Sequence, residues 1–260
     1  MNPAYSLYER LNSSVPQRFK TRIRGTLEHL LTLGKKSYFS QFGEDAILQG
    51  YFEEKAWQQR DRRSLPFIKH KLRPGYYVDV GAFSPIQFSN TYWFYTQGWR
   101  GINIDATPGS MKSFKASRKR DTNIEVAVSD AEKELTFYCW SVPSVVNTLS
   151  VERVPELVEQ MGKEPTEVRV KAMPLGAILD EHLPRDQKID FLSIDVEGHD
   201  LEVLQSNNWK KYRPELIIAE DLKDDIEEIV HSDISIYLKE RGYRICSWAR
   251  PSVIYKDEAL

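Results

Sequence analysis

The 260-residue chain has almost no cysteine: Cys139 and Cys246 are the only two. Each falls in a strand-like run, so both read as reduced packing residues rather than a bridge, the habit of a reducing compartment. Long apolar runs are also missing. None approaches the roughly 20 residues that span a bilayer, and Glu9 and Arg10 interrupt any signal-like stretch at the N-terminus. The expectation is a cytoplasmic protein without stable membrane insertion. Phosphate-wrapping glycine patterns are absent too. Gly81-Ala82-Phe83-Ser84-Pro85-Ile86 has one glycine where a dinucleotide fingerprint needs three, and no glycine-rich run ends in Lys-Ser or Lys-Thr as a P-loop does. Charge of one sign is not in excess, with 36 Lys+Arg against 38 Asp+Glu. Together with the lack of a nucleic-acid module, that argues against a nucleic-acid partner.

The length and the 41% hydrophobic content allow one large α/β domain with a sizeable core. Charge is unevenly spread: residues 1–75 carry 14 Lys/Arg and 7 Asp/Glu, and residues 190–240 carry 5 and 14. Most of these are solvated faces; the sharper reading is a basic half that greets an anionic or phosphorylated substrate. Phe19, Ile23, Leu27, Leu30 and Leu31 recur at helical spacing over 17–33. Residues 1–37 therefore read as a helical extension, packed on the core or forming a homo-oligomer contact, and 38–260 as the main domain. Ser40 is placed to cap a helix whose first turn holds Glu44 and Asp45.

From Tyr76 onward strands and helices alternate, the pattern of βαβ units. Strands are expected at 76–80, 100–105, 123–128, 134–140, 189–195, 214–220, 242–248 and 252–256. Helices are expected at 88–97, 108–119, 152–161, 174–181, 199–206 and 226–240. Ser129-Asp130-Ala131-Glu132 suggests a hairpin turn joining 123–128 to 134–140.

Acids stand at the ends of these strands. Tyr76-Tyr77-Val78-Asp79-Val80-Gly81-Ala82 ends the first, Asp105 the second, and Asp195-Val196-Glu197-Gly198 a later one. Open α/β sheets bind ligands at that carboxyl edge. Asp105 could accept hydrogen bonds from both hydroxyls of a ribose, and Asp130 from an exocyclic amine such as that of adenine. Read alone, Asp130 is a turn-forming Asp.

Six blocks in order resemble the FkbM family of S-adenosylmethionine-dependent methyltransferases: Ser-Gln-Phe-Gly-Glu-Asp (40–45), Val-Asp-Val-Gly-Ala (78–82), Asn-Ile-Asp-Ala-Thr-Pro (103–108), Ala-Val-Ser-Asp (127–130), Ile-Asp-Phe-Leu-Ser-Ile-Asp-Val-Glu-Gly-His-Asp (189–200) and Pro-Glu-Leu-Ile-Ile-Ala-Glu-Asp (214–221). The resemblance covers about Ser40 to Asp221. It departs at Phe83-Ser84-Pro85, where many relatives carry Asn-x-Gly, and at Asp105-Ala106, where many carry Glu-Pro. It implies a Rossmann-like α/β methyltransferase fold, a mostly parallel sheet with helices on both faces and an antiparallel C-terminal strand. It further implies that Gly81 and Ala82 lie against S-adenosylmethionine, with Asp79 near its methionyl amine. Asp105 and Ala106 would hold the ribose and Ser129 and Asp130 the adenine, while Gln41 and the acids beside it close over the site.

Methyl transfer to a sugar hydroxyl needs the acceptor held in line and its proton removed. Asp195, Glu197 and His199 end one strand, and Glu220 and Asp221 the next. Two mechanisms stay open. Asp195 or His199 serves as general base, or Asp195, Glu220 and Asp221 bind Mg²⁺ or another hard divalent cation that lowers the hydroxyl's pKa. The expected activity is O-methylation of a carbohydrate, a nucleotide-activated sugar or a polysaccharide unit. An NAD(P)-linked sugar oxidoreductase or epimerase and a non-catalytic Rossmann-like module are the alternatives. The missing glycine fingerprint and the lack of an obvious Tyr-x-x-x-Lys pair weigh against the first, and the convergent acids against the second.

Overall fold

The computed structural model describes residues 37–58, 72–142, 144 and 146–259. Backbone packing divides the chain between Tyr38 and Phe39; the helix expected over 17–33 lies outside the described residues. The second unit opens with α1 (Glu44–Gln58). Ser40 does cap it: its hydroxyl accepts the N–H groups of Gly43 (3.1 Å) and Asp45 (3.3 Å) and donates to the Asp45 carboxylate (2.7 Å).

Further along come β1 (Tyr76–Val80), α2 (Tyr92–Thr96), β2 (Arg100–Asp105), α3 (Met111–Ser117), β3 (Thr122–Glu125), β4 (Ala127–Val128) and β5 (Lys133–Cys139). A 3₁₀ turn over Val151–Arg153 leads into α4 (Val154–Met161), then β6 (Thr166–Met173), α5 (Leu175–His182), β7 (Phe191–Ile194) and α6 (Asp200–Gln205). The chain closes with β8 (Leu216–Glu220), α7 (Ile226–Val230), α8 (Asp233–Lys239), β9 (Tyr243–Ala249) and β10 (Ser252–Asp257).

The main sheet has the order β3-β2-β1-β7-β8-β10-β9. β1, β2, β3, β7 and β8 pair in parallel, and β10 runs antiparallel between β8 and β9. This is the Rossmann-like α/β fold with the expected antiparallel last strand. Strand alternation sorts the core into two layers. Val78, Val80, Ile102, Ile104, Leu192 and Ile194 face one side, packed under Leu175, Ile178, Val203 and Leu238 of α5, α6 and α8. Tyr77 and Phe191 face the other, under Leu48 and Phe52 of α1 and Phe94 of α2. The sequence runs outward from β1 in one direction through β2 and β3 and then resumes on its other side at β7. That reversal is a topological switch point, where such sheets open a ligand crevice.

Three expectations are corrected. β5 does not pair back with the strand before it; it pairs antiparallel with β6, and β4 joins β6 in parallel to form a separate three-stranded sheet. The run 226–240 is two helices, broken at His231-Ser232, because the Ser232 hydroxyl accepts the Ser235 N–H (3.1 Å) and starts α8 afresh. The helix expected over 88–97 is shortened to Tyr92–Thr96, since Ser89 and Asn90 are spent on side-chain bonds rather than helical ones. Both cysteines are free. Among the described residues no helix is long and apolar enough to cross a membrane.

Candidate active site

The chain bends sharply where β1 ends. Gly81 has φ +79°, and a Cβ there would sit 1.7 Å from the Asp195 carbonyl oxygen. Only glycine lets the end of β1 come this close to the end of β7. Beside that contact opens a cavity of about 330 Å³, within the range of small-ligand sites. Gln41, Gly81, Asp105, Ala106, Asp195, Glu197, His199 and Glu220 all line it. Ends of β1, β2, β7 and β8 and the approach to α1 thus meet in one cleft.

Asp105 closes β2. Its carboxylate accepts the Thr107 N–H (2.7 Å) and the Phe83 N–H (2.9 Å), so it braces the loop after β1 while lining the cavity. Burial pushes its carboxyl up, and those backbone donors pull it back. Asp195 is open to the cleft. Desolvation by the surrounding protein, then the carboxylates of Glu220, Asp200, Glu197 and Asp79, hold it well above the usual range. Glu220 is pushed up to about 7 by burial and by Asp200 and Glu197, against which Arg153 acts. Arg153 itself donates to the Glu197 carboxylate (2.6 Å) and carbonyl (3.1 Å) at the rim. Glu197 holds φ +57° and Phe83 φ +49°, uncommon for side-chain-bearing residues and here gathered at one site.

Asp79, Ala82, Ser129, Asp130 and Asp221 do not line the cavity. Alternation turns Asp79 to the Tyr77 face, where it accepts the Thr91 hydroxyl (2.9 Å). Thr91 in turn accepts from Arg118 (2.7 Å), a fully buried guanidinium that also bonds Tyr77 (2.9 Å), Asp121 (2.9 Å) and the Pro85 carbonyl (2.8 Å). Burial pushes Asp79 up to about 6, offset by these partners. Ala82 is buried against Met111 and Phe114 of α3. Asp130 is exposed and pairs with Lys133 and Ser129. Asp221 is held by Ser232 on the far side of its strand, so Asp195, Glu220 and Asp221 are not gathered into one ligand set. Among the described residues no group of three or more His, Cys, Asp or Glu is placed to hold a metal ion.

Glu44 is one of the acids expected beside Gln41, whereas Asp200, Phe88 and Asn90 are residues the sequence did not single out for the site. Glu44, only 3% exposed, lines the cavity and accepts from Ser252 (2.9 Å) and the Phe42 N–H (2.9 Å). Asp200, 2% exposed, accepts the Glu220 N–H (3.1 Å) and so ties the ends of β7 and β8 together. Phe83 and Phe88 stack with centroids 6.2 Å apart in the cavity wall. Asn90 donates to Ser193 (3.1 Å), leaving its own buried carbonyl oxygen without a donor. A Tyr-x-x-x-Lys spacing does occur, at Tyr51 and Lys55, but both side chains bond Glu215 at the opposite edge of the sheet.

S-adenosylmethionine carries a sulfonium, an ammonium and a carboxylate, and the acidic lining suits the two cations. Asp105 lines the cavity with acceptor capacity beyond its two backbone donors, and the buried Asn90 oxygen is a further acceptor in the lining.

The methyltransferase FkbM domain matches residues 79–245. A crystal structure of a provisionally assigned O-methyltransferase from Klebsiella pneumoniae aligns at 9% identity over 88% of this chain and 94% of that one, with a TM-score of 0.35. No curated protein matches the sequence.

Proposed function

The chain belongs to the FkbM methyltransferase family, and on that footing we propose that it moves the methyl group of S-adenosylmethionine to a hydroxyl of a neutral carbohydrate. One observation carries the acceptor class. The described lining holds Glu44, Asp105, Asp195, Glu197 and Glu220 together with Phe42, Phe83 and Phe88, and no lysine or arginine. Carboxylates accept from hydroxyls, and phenyl faces cover the C–H faces of a sugar ring. An anionic acceptor group would meet these acids with no lysine or arginine in the described lining to pair it. The diphosphate of a nucleotide-activated sugar would therefore lie away from this floor, and a polysaccharide unit suits the lining better.

S-adenosylmethionine supplies an electrophilic methyl on a positively charged sulfur. The residues of the chain do the rest. Gly81 would let the cofactor approach the strand end closely, Asp105 would accept from its ribose, and the Asn90 oxygen from its ammonium. Asp195, open to the cleft beside Gly81, holds the acceptor's hydroxyls by their protons. The test is methyl transfer from S-adenosylmethionine to neutral monosaccharides, their uronic acids and their phosphates in parallel. Turnover of the neutral members alone is expected. Faster turnover of the charged members would overturn the acceptor class.

A further inference from the structure

Glu202 lies outside the cavity lining, yet it is bonded to the one histidine that stands in it. It follows His199 by three residues on α6, so the two share a helix face. Glu202 Oε2 lies 3.1 Å from His199 Nδ1. The other oxygen, Oε1, lies 3.3 Å from the Ser129 hydroxyl, whose single proton it shares with Asp130 Oδ1 at 3.0 Å. Ser129 is 2% exposed and is fixed in turn by its N–H bond to the Met173 carbonyl (3.1 Å), from the small sheet. The carboxylate is therefore gripped on one side and presented to the imidazole on the other.

An ionised carboxylate can only accept. Nδ1 beside it carries the ring proton, and in the neutral ring that leaves Nε2 as the bare nitrogen. Nε2 is shielded and has no partner among the described residues, although the ring stands in the cavity wall with 29% of its side chain exposed. A hydroxyl in the cleft would supply the missing donor once the ring turns Nε2 towards it.

We propose that Glu202, braced by Ser129, is a positioning residue that fixes His199 with its proton on Nδ1, so that Nε2 takes the proton of the acceptor hydroxyl. This rests on the methyl-transfer reading. As the acceptor oxygen bonds to the methyl carbon, the carbon–sulfur bond breaks with its electron pair on sulfur, releasing S-adenosylhomocysteine. The hydroxyl proton passes to Nε2, and the imidazolium so formed stays beside the Glu202 carboxylate. His199 is then the base, and Asp195 is left to hold the acceptor.

The test uses the full chain with ¹⁵N-histidine and long-range ¹H–¹⁵N spectra at about pH 8.5, where an ordinary imidazole is neutral. The His199 signals are assigned by their loss in His199→Gln. The expected pattern is a protonated Nδ1 and a bare Nε2, disturbed in Glu202→Gln and restored in Glu202→Asp. A wild-type ring protonated on Nε2, or a pattern unmoved by Glu202→Gln, overturns the proposal. In turnover of a neutral monosaccharide, Glu202→Gln should lower kcat about 10- to 100-fold with acceptor KM little changed. In a His199→Gln background it should have no further effect, and an additive loss there also overturns it. Calorimetry with S-adenosylhomocysteine separates the two readings: no binding by the wild type counts against methyl transfer itself, whereas binding with the wrong tautomer counts against Glu202 alone.

Discussion

Thr91 donates its hydroxyl to Asp79 at 2.9 Å, and that bond holds the acid of β1 on the face turned away from the cleft. Asp79 is the terminus of a buried relay through Thr91 and Arg118 to Tyr77 and Asp121. Arg118 also grips the Pro85 carbonyl (2.8 Å), so the relay holds the Phe83–Phe88 wall in place from behind.

Asp79→Ala would leave the buried Thr91 hydroxyl without its acceptor and remove a carboxylate from the neighbourhood of the buried Arg118 guanidinium. Breaking a buried charged network costs about 3 kcal/mol, or roughly 6–12 °C in Tm for a domain of this size. The expected result is that loss, measured by thermal unfolding, with S-adenosylhomocysteine affinity changed by no more than a few-fold at a temperature where the variant is folded.

Asp105→Ala removes both the proposed ribose contact and the brace on Phe83 and Thr107. Loss of a hydrogen bond to a charged group is worth about 1.5–3 kcal/mol, so titration should show S-adenosylhomocysteine binding weakened about 10- to 100-fold. Tm should fall as well, because two backbone donors lose their acceptor.

Asp195→Asn keeps the size of the side chain and replaces a carboxyl oxygen with an amide nitrogen that can only donate. The account expects cofactor binding to persist and turnover of a neutral sugar to fall about 100-fold or more, as when a group acting on the acceptor is lost. Phe88→Ala, at the mouth of the same cavity, should raise acceptor KM and leave cofactor affinity alone.

Stability should fall as pH rises from about 4 towards 7. Burial holds Asp79 and Asp200 up to about 6 and Glu220 up to about 7, and raises Asp195 and Asp105. Each binds its proton more tightly folded than unfolded. The stabilisation they give is complete below the unfolded carboxyl range and lost as pH passes through the folded values. Tm without ligand should therefore be higher near pH 5 than near pH 8, by about 5 °C or more.

Much of this was legible in the sequence. Apolar strands ending in acids read directly as a parallel sheet with a crevice, because strands buried on both faces carry near-continuous apolar runs. The small sheet was not. β6 alternates Val168, Val170 and Ala172 with charged residues, but its partner β5 lies far along the chain, and pairing across that separation leaves no local mark. The orientation of Asp79 was equally hidden. Which face of β1 is covered depends on Thr91 and Arg118, 12 and 39 residues further on. Asp130 followed its local chemistry instead, that of an exposed turn residue paired with Lys133. Glu202 left one signal, an acid at i+3 from a histidine, whose meaning depends on Ser129 approaching from another sheet.

The most direct measurement is calorimetric titration of the full chain with S-adenosylmethionine, S-adenosylhomocysteine and NAD⁺. The account predicts binding of the first two and none of the third. Binding of NAD⁺ with no response to either sulfur compound would contradict it.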